Sequence, residues 1–514
     1  MEMNPRVVDA VIVRDSASNT RSLPLAGWAG AALPALVLFA LWLMATLGLR
    51  PLLLPDEGRY ASVTLEMLQG NALVPTLNGL PFFHKPPLFY WVDMAAMQVF
   101  GVGPFAARMG SLVGAWIMGA TLFLALRRWH GPRTAIIALV VMATSPFLFV
   151  GAQYANHDML VAGLISAAIL ALARAVEHPI RVSLGWLAVG ALACALATLA
   201  KGLIGFVLPV LVIGPWLLMQ GRWRQVVGLL HPVAWLAFLV VAAPWFVAMQ
   251  MRFSGFFDYF FMEQHFRRFV QSSFNNVQPV WFFALVLPAL MLPWAAWIPQ
   301  ALRKAWAGRD ARVGLYVWWI VAIVGFFSLP SSKLVGYVLP AVAPLCALIA
   351  LSLQGTPQKR LRWLVAASAL MCLGIVGAIA WQAPKSNLGA ARALAEHLAP
   401  GDKVVMVDEY LYDVPFYAQL QKPVVIASDW RDPALANQDS WRNELMDAAV
   451  FAPALGRQVL QPLDRLDQLA CGKATVWVPV SVSRAKQVGE LTGATRVFGD
   501  KNSELWRVPA RACS

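Results

Sequence analysis

An all-α, polytopic membrane bundle followed by a small C-terminal α/β domain is the fold class that this sequence predicts. Three observations predict it. Of 514 residues, 59% are hydrophobic and only 13% are charged, more apolar side chain than a soluble chain of that length can shield from water. The apolar residues come in segments of bilayer length, with the cations in short clusters between them. Near Pro384 the pattern changes to short β-branched runs separated by polar turns. The net charge of +14 is scattered among the clusters rather than gathered on one face, so nucleic acid is not an expected partner.

Residues 1–27 form a polar tail with charges of both signs, and the apolar segment after it is long enough to stay as an anchor rather than be cleaved. Crossings are expected near 28–49, 104–126, 134–151, 158–174, 184–200, 203–219, 230–250, 280–300, 314–329, 338–353 and 363–382, about eleven in all. With these spans, Arg6, Arg14 and Arg21 share one side with five further groups of cations. Those groups are Arg127-Arg128 with Arg133, Arg174 with Arg181, Arg222 with Arg224, Arg303-Lys304 with Arg309 and Arg312, and Lys359-Arg360 with Arg362. The positive-inside rule makes that side cytoplasmic. The loop 50–103, the segments around 153–158, 252–279 and 330–337, and everything after Pro384 then lie outside.

The run 88–100 is too short to cross and is expected as a helix at the interface, with Phe82, Phe83, Phe89, Tyr90 and Trp91 at headgroup depth. The chain divides into the tail, a transmembrane domain over 28–383, and an outer domain over 384–514. In the outer domain, strands are expected at 403–407, 424–426, 475–478 and 496–498, and helices at 390–397 and 483–491. Cys194, Cys346 and Cys372 fall in apolar spans as packing residues, which leaves Cys471 and Cys513 as the pair that an oxidising compartment could join. No Gly-rich phosphate loop, CxxC or HExxH spacing occurs.

The chemistry-bearing residues gather at the outer boundaries. Pro55-Asp56-Glu57-Gly58-Arg59-Tyr60-Ala61 follows the first crossing, and Asp56 and Glu57 begin a short helix with Arg59 and Tyr60 one turn on. Phe83-His84-Lys85-Pro86-Pro87 brings an imidazole and a cation to the same loop, with the prolines fixing the backbone before the helix. Asn156-His157-Asp158 opens the fourth crossing, where helix capping is the plainer role. Lys201, His265, Arg268, Lys333 and Tyr337 complete the outer set. Solvation by lipid headgroups is the ordinary reading of any one such charge. Together they suit an enzyme acting on a phosphorylated membrane lipid: cations stabilise phosphate as a leaving group, and a carboxylate takes the acceptor's proton. His84 and His265 could instead hold Zn or Mn, with Glu263 or Asp158 completing the site. Hydrogen bonding to phosphate is the simpler role for both histidines, so no cofactor is certain.

The pattern Pro55-Asp56-Glu57-x-Arg59-Tyr60-Ala61, Asn78-Gly79-x-Pro81-x-Phe83-His84-Lys85-Pro86-Pro87, Tyr90-Trp91, Asp158, Lys201-Gly202, His265-x-x-Arg268-Phe269 and Ser332-Lys333-Leu334-x-x-Tyr337-x-Leu339-Pro340 resembles the lipid-linked-sugar glycosyltransferases of the C-type fold. Within them it resembles the group of the lipid A aminoarabinose transferases and, more distantly, the protein O-mannosyltransferases. The resemblance implies about 11 to 13 crossings, with Asp56 as the principal catalytic carboxylate and Asp158 as the second acidic residue. It places Lys85, Arg59, Tyr60, Arg268 and Tyr337 around the donor phosphate or sugar. Where those transferases carry Glu before the matching lysine and before the matching histidine, this chain has His84 and Gln264. The expected activity is transfer of one sugar from a polyprenyl-phosphate donor to lipid A or another envelope glycolipid, at the periplasmic face of a bacterial inner membrane. A protein O-glycosyltransferase of the same fold is the alternative. A lipid or solute transporter is the alternative of another class, which charges confined to one rim and the absence of an internal repeat disfavour.

Overall fold

The computed structural model describes residues 25–267, 276–308, 310–382, 385–432, 435, 440–469 and 471–510, with side chains from residue 32 onward and not at 265–267. Among the described residues, seven helices are long and apolar enough to cross a membrane, or eight if one bent pair is a single crossing. The chain is a multi-pass membrane protein. The seven are Ala106–Trp129, His157–Ala175, Leu184–Lys201, Pro232–Arg252, Ala311–Ser328, Val335–Leu353 and Gln358–Gln382, each at an expected position. Three other expected crossings are shorter apolar helices, Ala32–Met44, Pro132–Ala143 and Ile204–Met219. The second of these breaks at Thr144-Ser145 and resumes as Pro146–Gly151, because the residue before a proline is pushed out of the helical region.

The crossing expected over 280–300 is not one straight helix. Phe282–Leu290 and Trp294–Ala307 meet at 112°, and Pro293 stands at the break, where it can neither continue the hydrogen-bond ladder nor let Leu292 remain helical.

Contacts sort the loops into two ends. At one, Glu177 collects Arg128, Arg174, Arg312 and the Trp129 indole, and Gln354 donates to Thr134 Oγ1. At the other, the loop 50–103 meets helix ends of the bundle and the C-terminal domain. There the run Leu88–Phe100 is a helix, Trp245 Nε1 donates to Leu73 O at 2.9 Å, and Phe83 packs edge-on against Phe253, Phe256 and Phe451.

The C-terminal domain is a six-stranded sheet. A two-residue-strand hairpin in the loop, β1 (Thr76–Leu77) with β2 (Leu80–Pro81), precedes it. The sheet strands are β3 (Lys403–Val407), β4 (Val425–Ser428), β5 (Leu460–Pro462), β6 (Val476–Ser481), β7 (Thr495–Gly499) and β8 (Ser503–Val508), in spatial order β5-β4-β3-β6-β8-β7. β5, β4, β3 and β6 run parallel and β6, β8 and β7 antiparallel. β6 is buried through its first five residues, as a strand covered on both faces requires. β5 and β8 were not among the expected strands. Cys471 is disulfide-bonded, and Cys513 lies outside the described residues.

Candidate active site

The helix Asp56–Gln69 divides its first two acids. Glu57 points inward and is fully buried between Arg50 and Arg108. Its carboxylate also accepts the backbone N–H of Leu53 at 2.7 Å and of Ala155 at 2.9 Å. Arg108 Nη1 donates to Leu47 O at 2.6 Å, and Arg50 Nη2 donates to Gln153 O at 2.6 Å. Burial pushes the Glu57 carboxyl upward, but the two guanidiniums prevail and hold it down at about 2. Three chain segments therefore converge on one ionised carboxylate, which is a structural post.

Asp56 faces the other way. Its side chain is 30% exposed, pairs with Arg59 one turn on, and lies 3.4 Å from the Tyr154 hydroxyl, which donates to Oδ2. As the first residue of a helix it also sits in the favourable field of the free N–H groups. Arg59 turns its second terminal nitrogen to Glu444 of the C-terminal domain, whose other oxygen accepts the Tyr412 hydroxyl at 2.6 Å.

That domain reaches the site because the motif lets it approach. A Cβ on Gly58 would lie 2.5 Å from Leu54 Cδ2 and 3.1 Å from Asp413 N, so only glycine admits this contact. Ser62 Oγ donates to Tyr412 O at 2.6 Å, and the Tyr417 hydroxyl accepts Leu52 N–H at 2.7 Å. Asn78, at the hairpin turn with φ +54°, exchanges hydrogen bonds with the Val424 backbone at 2.8 and 2.9 Å. The Asn78-Gly79 of the sequence pattern thus docks the domain on the loop.

The segment 153–158 links this cluster to a second. Asn156 caps its helix by accepting Asp158 N–H at 3.0 Å, the plainer role read from the sequence. Asp158 pairs with Lys201, the last residue of its own helix, and the Lys201 ammonium lies 4.7 Å from the Tyr337 ring. A Cβ on Gly336 would fall 2.2 Å from Asp158 Oδ2, so this pair depends on glycine there. Between the clusters, His157 is enclosed by Tyr60 at 4.6 Å, Phe89 at 4.5 Å and Tyr90 at 5.0 Å.

Contacts around His157 therefore join Asp56, Arg59 and Tyr60 to Asp158, Lys201 and Tyr337, and Lys85 lies just before the helix whose Phe89 and Tyr90 pack on the same ring. Lys85 Nζ donates to His84 O at 3.1 Å. His84 is buried against Phe82, with ring centroids 4.4 Å apart. Lys333 stands apart from them: it is 4% exposed, and its ammonium donates to the carbonyls of Gln278 and Pro330, fastening the 330–333 loop. The side chain of His265 and the whole of Arg268 lie outside the described residues. Among the described residues no three His, Cys, Asp or Glu side chains converge as a metal site, and His84 Nδ1 and Nε2 belong to a ring stacked on carbon.

Sequence reasoning missed Tyr154, Glu444 and Tyr412. Tyr154 could have been found from its place in the same short segment as Asp158. Nothing local marks Glu444, which is 385 positions from its partner.

Residues 84–251 match the family described as dolichyl-phosphate-mannose-protein mannosyltransferase. The chain is similar to the undecaprenyl phosphate-alpha-4-amino-4-deoxy-L-arabinose arabinosyl transferase of Erwinia tasmaniensis, at 35% identity over 353 residues, 66% of this chain and 63% of the relative. The protein of the same name from Pseudomonas aeruginosa is 35% identical over 319 residues, 61% of this chain and 58% of the relative. The matched stretch thus spans less than two thirds of the length of these relatives. Among solved structures, ArnT from Cupriavidus metallidurans bound to undecaprenyl phosphate superposes with a TM-score of 0.78 at 24% identity, covering 94% of this chain and 98% of that one. Its apo state gives the same TM-score. The chain has the C-type membrane glycosyltransferase fold.

Proposed function

We propose that this chain, similar in sequence to the aminoarabinose transferases and sharing their fold, moves one sugar from an undecaprenyl-phosphate donor to lipid A. What supports the reading is one partly exposed carboxylate, Asp56, paired with Arg59 and joined through Tyr60 and His157 to the Asp158–Lys201 pair. In the reaction, an acceptor hydroxyl attacks the anomeric carbon of the sugar, and its proton passes to Asp56. The new glycosidic bond forms as the bond from carbon to phosphate oxygen breaks, its electron pair leaving on the phosphate. A single displacement inverts the anomeric carbon. Lys85 and Lys201 offset the charge that grows on the phosphate, stabilising the transition state more than the bound donor. Asp158 holds Lys201 in place for that role, and the Tyr60 and Tyr337 rings wall the sugar. The site and the C-terminal domain face the periplasm, with the Glu177 end of the bundle cytoplasmic, a reading that the cation distribution supports.

The names of the relatives make aminoarabinose the first sugar to test. His84 and Gln264 replace two acids of the family pattern, and a neutral sugar is the second. Mass spectrometry of lipid A from cells with and without the chain tests the proposal. The expected result is lipid A heavier by one pentosamine only when the chain is present. Unmodified lipid A beside newly glycosylated envelope protein would transfer the reading to protein O-glycosylation, and no change in either would remove it.

A further inference from the structure

Arg59 serves two carboxylates at once, and they differ in kind. Asp56 is 30% exposed and belongs to the bundle. Glu444 is 7% exposed and comes from the C-terminal helix Trp441–Val450. The guanidinium is held in place from its sides as well, with the Tyr60 and Tyr412 rings each 5.4 Å from its central carbon. Tyr412 contributes twice, since its hydroxyl also donates to Glu444. The order Tyr412, Glu444, Arg59, Asp56, Tyr154 is one unbroken chain of hydrogen bonds and ion pairs from the C-terminal domain to the bundle.

We infer that Glu444 is a positioning residue for the transfer reaction, acting through Arg59 on Asp56, so that the C-terminal domain is part of the active site. This rests on the proposed transferase function. A lone arginine beside a lone aspartate would orient the carboxylate but also neutralise it, and a neutralised carboxylate is a poor proton acceptor. Sharing the guanidinium with a second acid leaves one net negative charge on the three side chains. Asp56 keeps its orientation. The groups that face it are Arg59, Glu444 through Arg59, the Tyr154 hydroxyl, and the neighbouring Glu57, whose charge is already matched by Arg50 and Arg108.

The test uses the full chain in lipid vesicles, with undecaprenyl phosphate-α-4-amino-4-deoxy-L-arabinose as donor and lipid A as acceptor. Glu444→Gln keeps the shape and the acceptor oxygen while removing the charge. It should lower kcat by about tenfold or more, through misplacement of the carboxylate, with KM for the donor changed less than about twofold. Glu444→Asp, which restores the charge, should recover part of the loss. Tyr412→Phe leaves Glu444 charged but without its hydroxyl partner, and should lower kcat less than Glu444→Gln does. A Glu444→Gln enzyme with wild-type kcat would overturn the inference, and so would a rise in donor KM as large as the fall in kcat. If Glu444→Gln protein does not accumulate, the kcat of Tyr412→Phe decides alone, and a wild-type value would overturn the inference. An inactive wild-type chain would overturn the function itself, whereas an active wild-type chain with unmoved variants would overturn only the role of Glu444.

Discussion

Asp56→Asn is expected to accumulate in the membrane like the wild type and to transfer sugar about a hundredfold more slowly or worse. Asparagine keeps the volume of aspartate and can still accept a hydrogen bond from Arg59. It cannot take the proton of the acceptor hydroxyl. The side chain it replaces is partly exposed and joins no backbone group, so little folding energy depends on it. Quantifying the protein by immunoblot and the modified lipid by mass spectrometry separates the two effects. Near-normal transfer at normal protein level would remove Asp56 from the proton-accepting role.

One residue further, the expectation reverses. Glu57→Gln leaves Arg50 and Arg108 as buried, uncompensated cations, and breaking a buried pair from one side costs about 3–5 kcal/mol. The variant should be lost from the membrane or melt well below the wild type, with activity falling in proportion to folded protein. The pH dependence has a definite sign. The Glu57 carboxyl is held at about 2, below its ordinary value of 4.5, so its stabilising contribution is complete above about 4.5. It is lost as the pH falls towards 2. In the variant, thermal stability should vary less with pH across that window. A Glu57→Gln protein as stable as the wild type would show that the three segments do not depend on this carboxylate.

These neighbouring acids show what the sequence can and cannot convey. That charged residues gather at one end of the bundle was legible, because they stand out against apolar spans. Which of Asp56 and Glu57 is buried in ion pairs was not legible from local pattern. The answer depends on Arg108, 51 positions later, and on helix phase. Glu444 was invisible for the same reason at longer range. The ammonium of Lys333 donates to carbonyls of its own loop and of Gln278, contacts that no local pattern shows. The parallel strands β3 and β4 were readable from their Val and Ile content, whereas β8 carries Ser503, Glu504 and Arg507 within its run and β5 is only three residues long. The bend before Pro293 could have been read from proline's effect on its neighbour, but apolar length alone suggested a straight crossing.

The most direct measurement is transfer by the purified chain. The protein is placed in vesicles with undecaprenyl phosphate-α-4-amino-4-deoxy-L-arabinose and lipid A, and both lipids are followed by mass spectrometry. The expected result is lipid A carrying one added pentosamine, with undecaprenyl phosphate released in equal amount and neither product formed by Asp56→Asn. Folded wild-type protein that leaves both this donor and a hexose-phosphate lipid unconsumed would contradict the assignment.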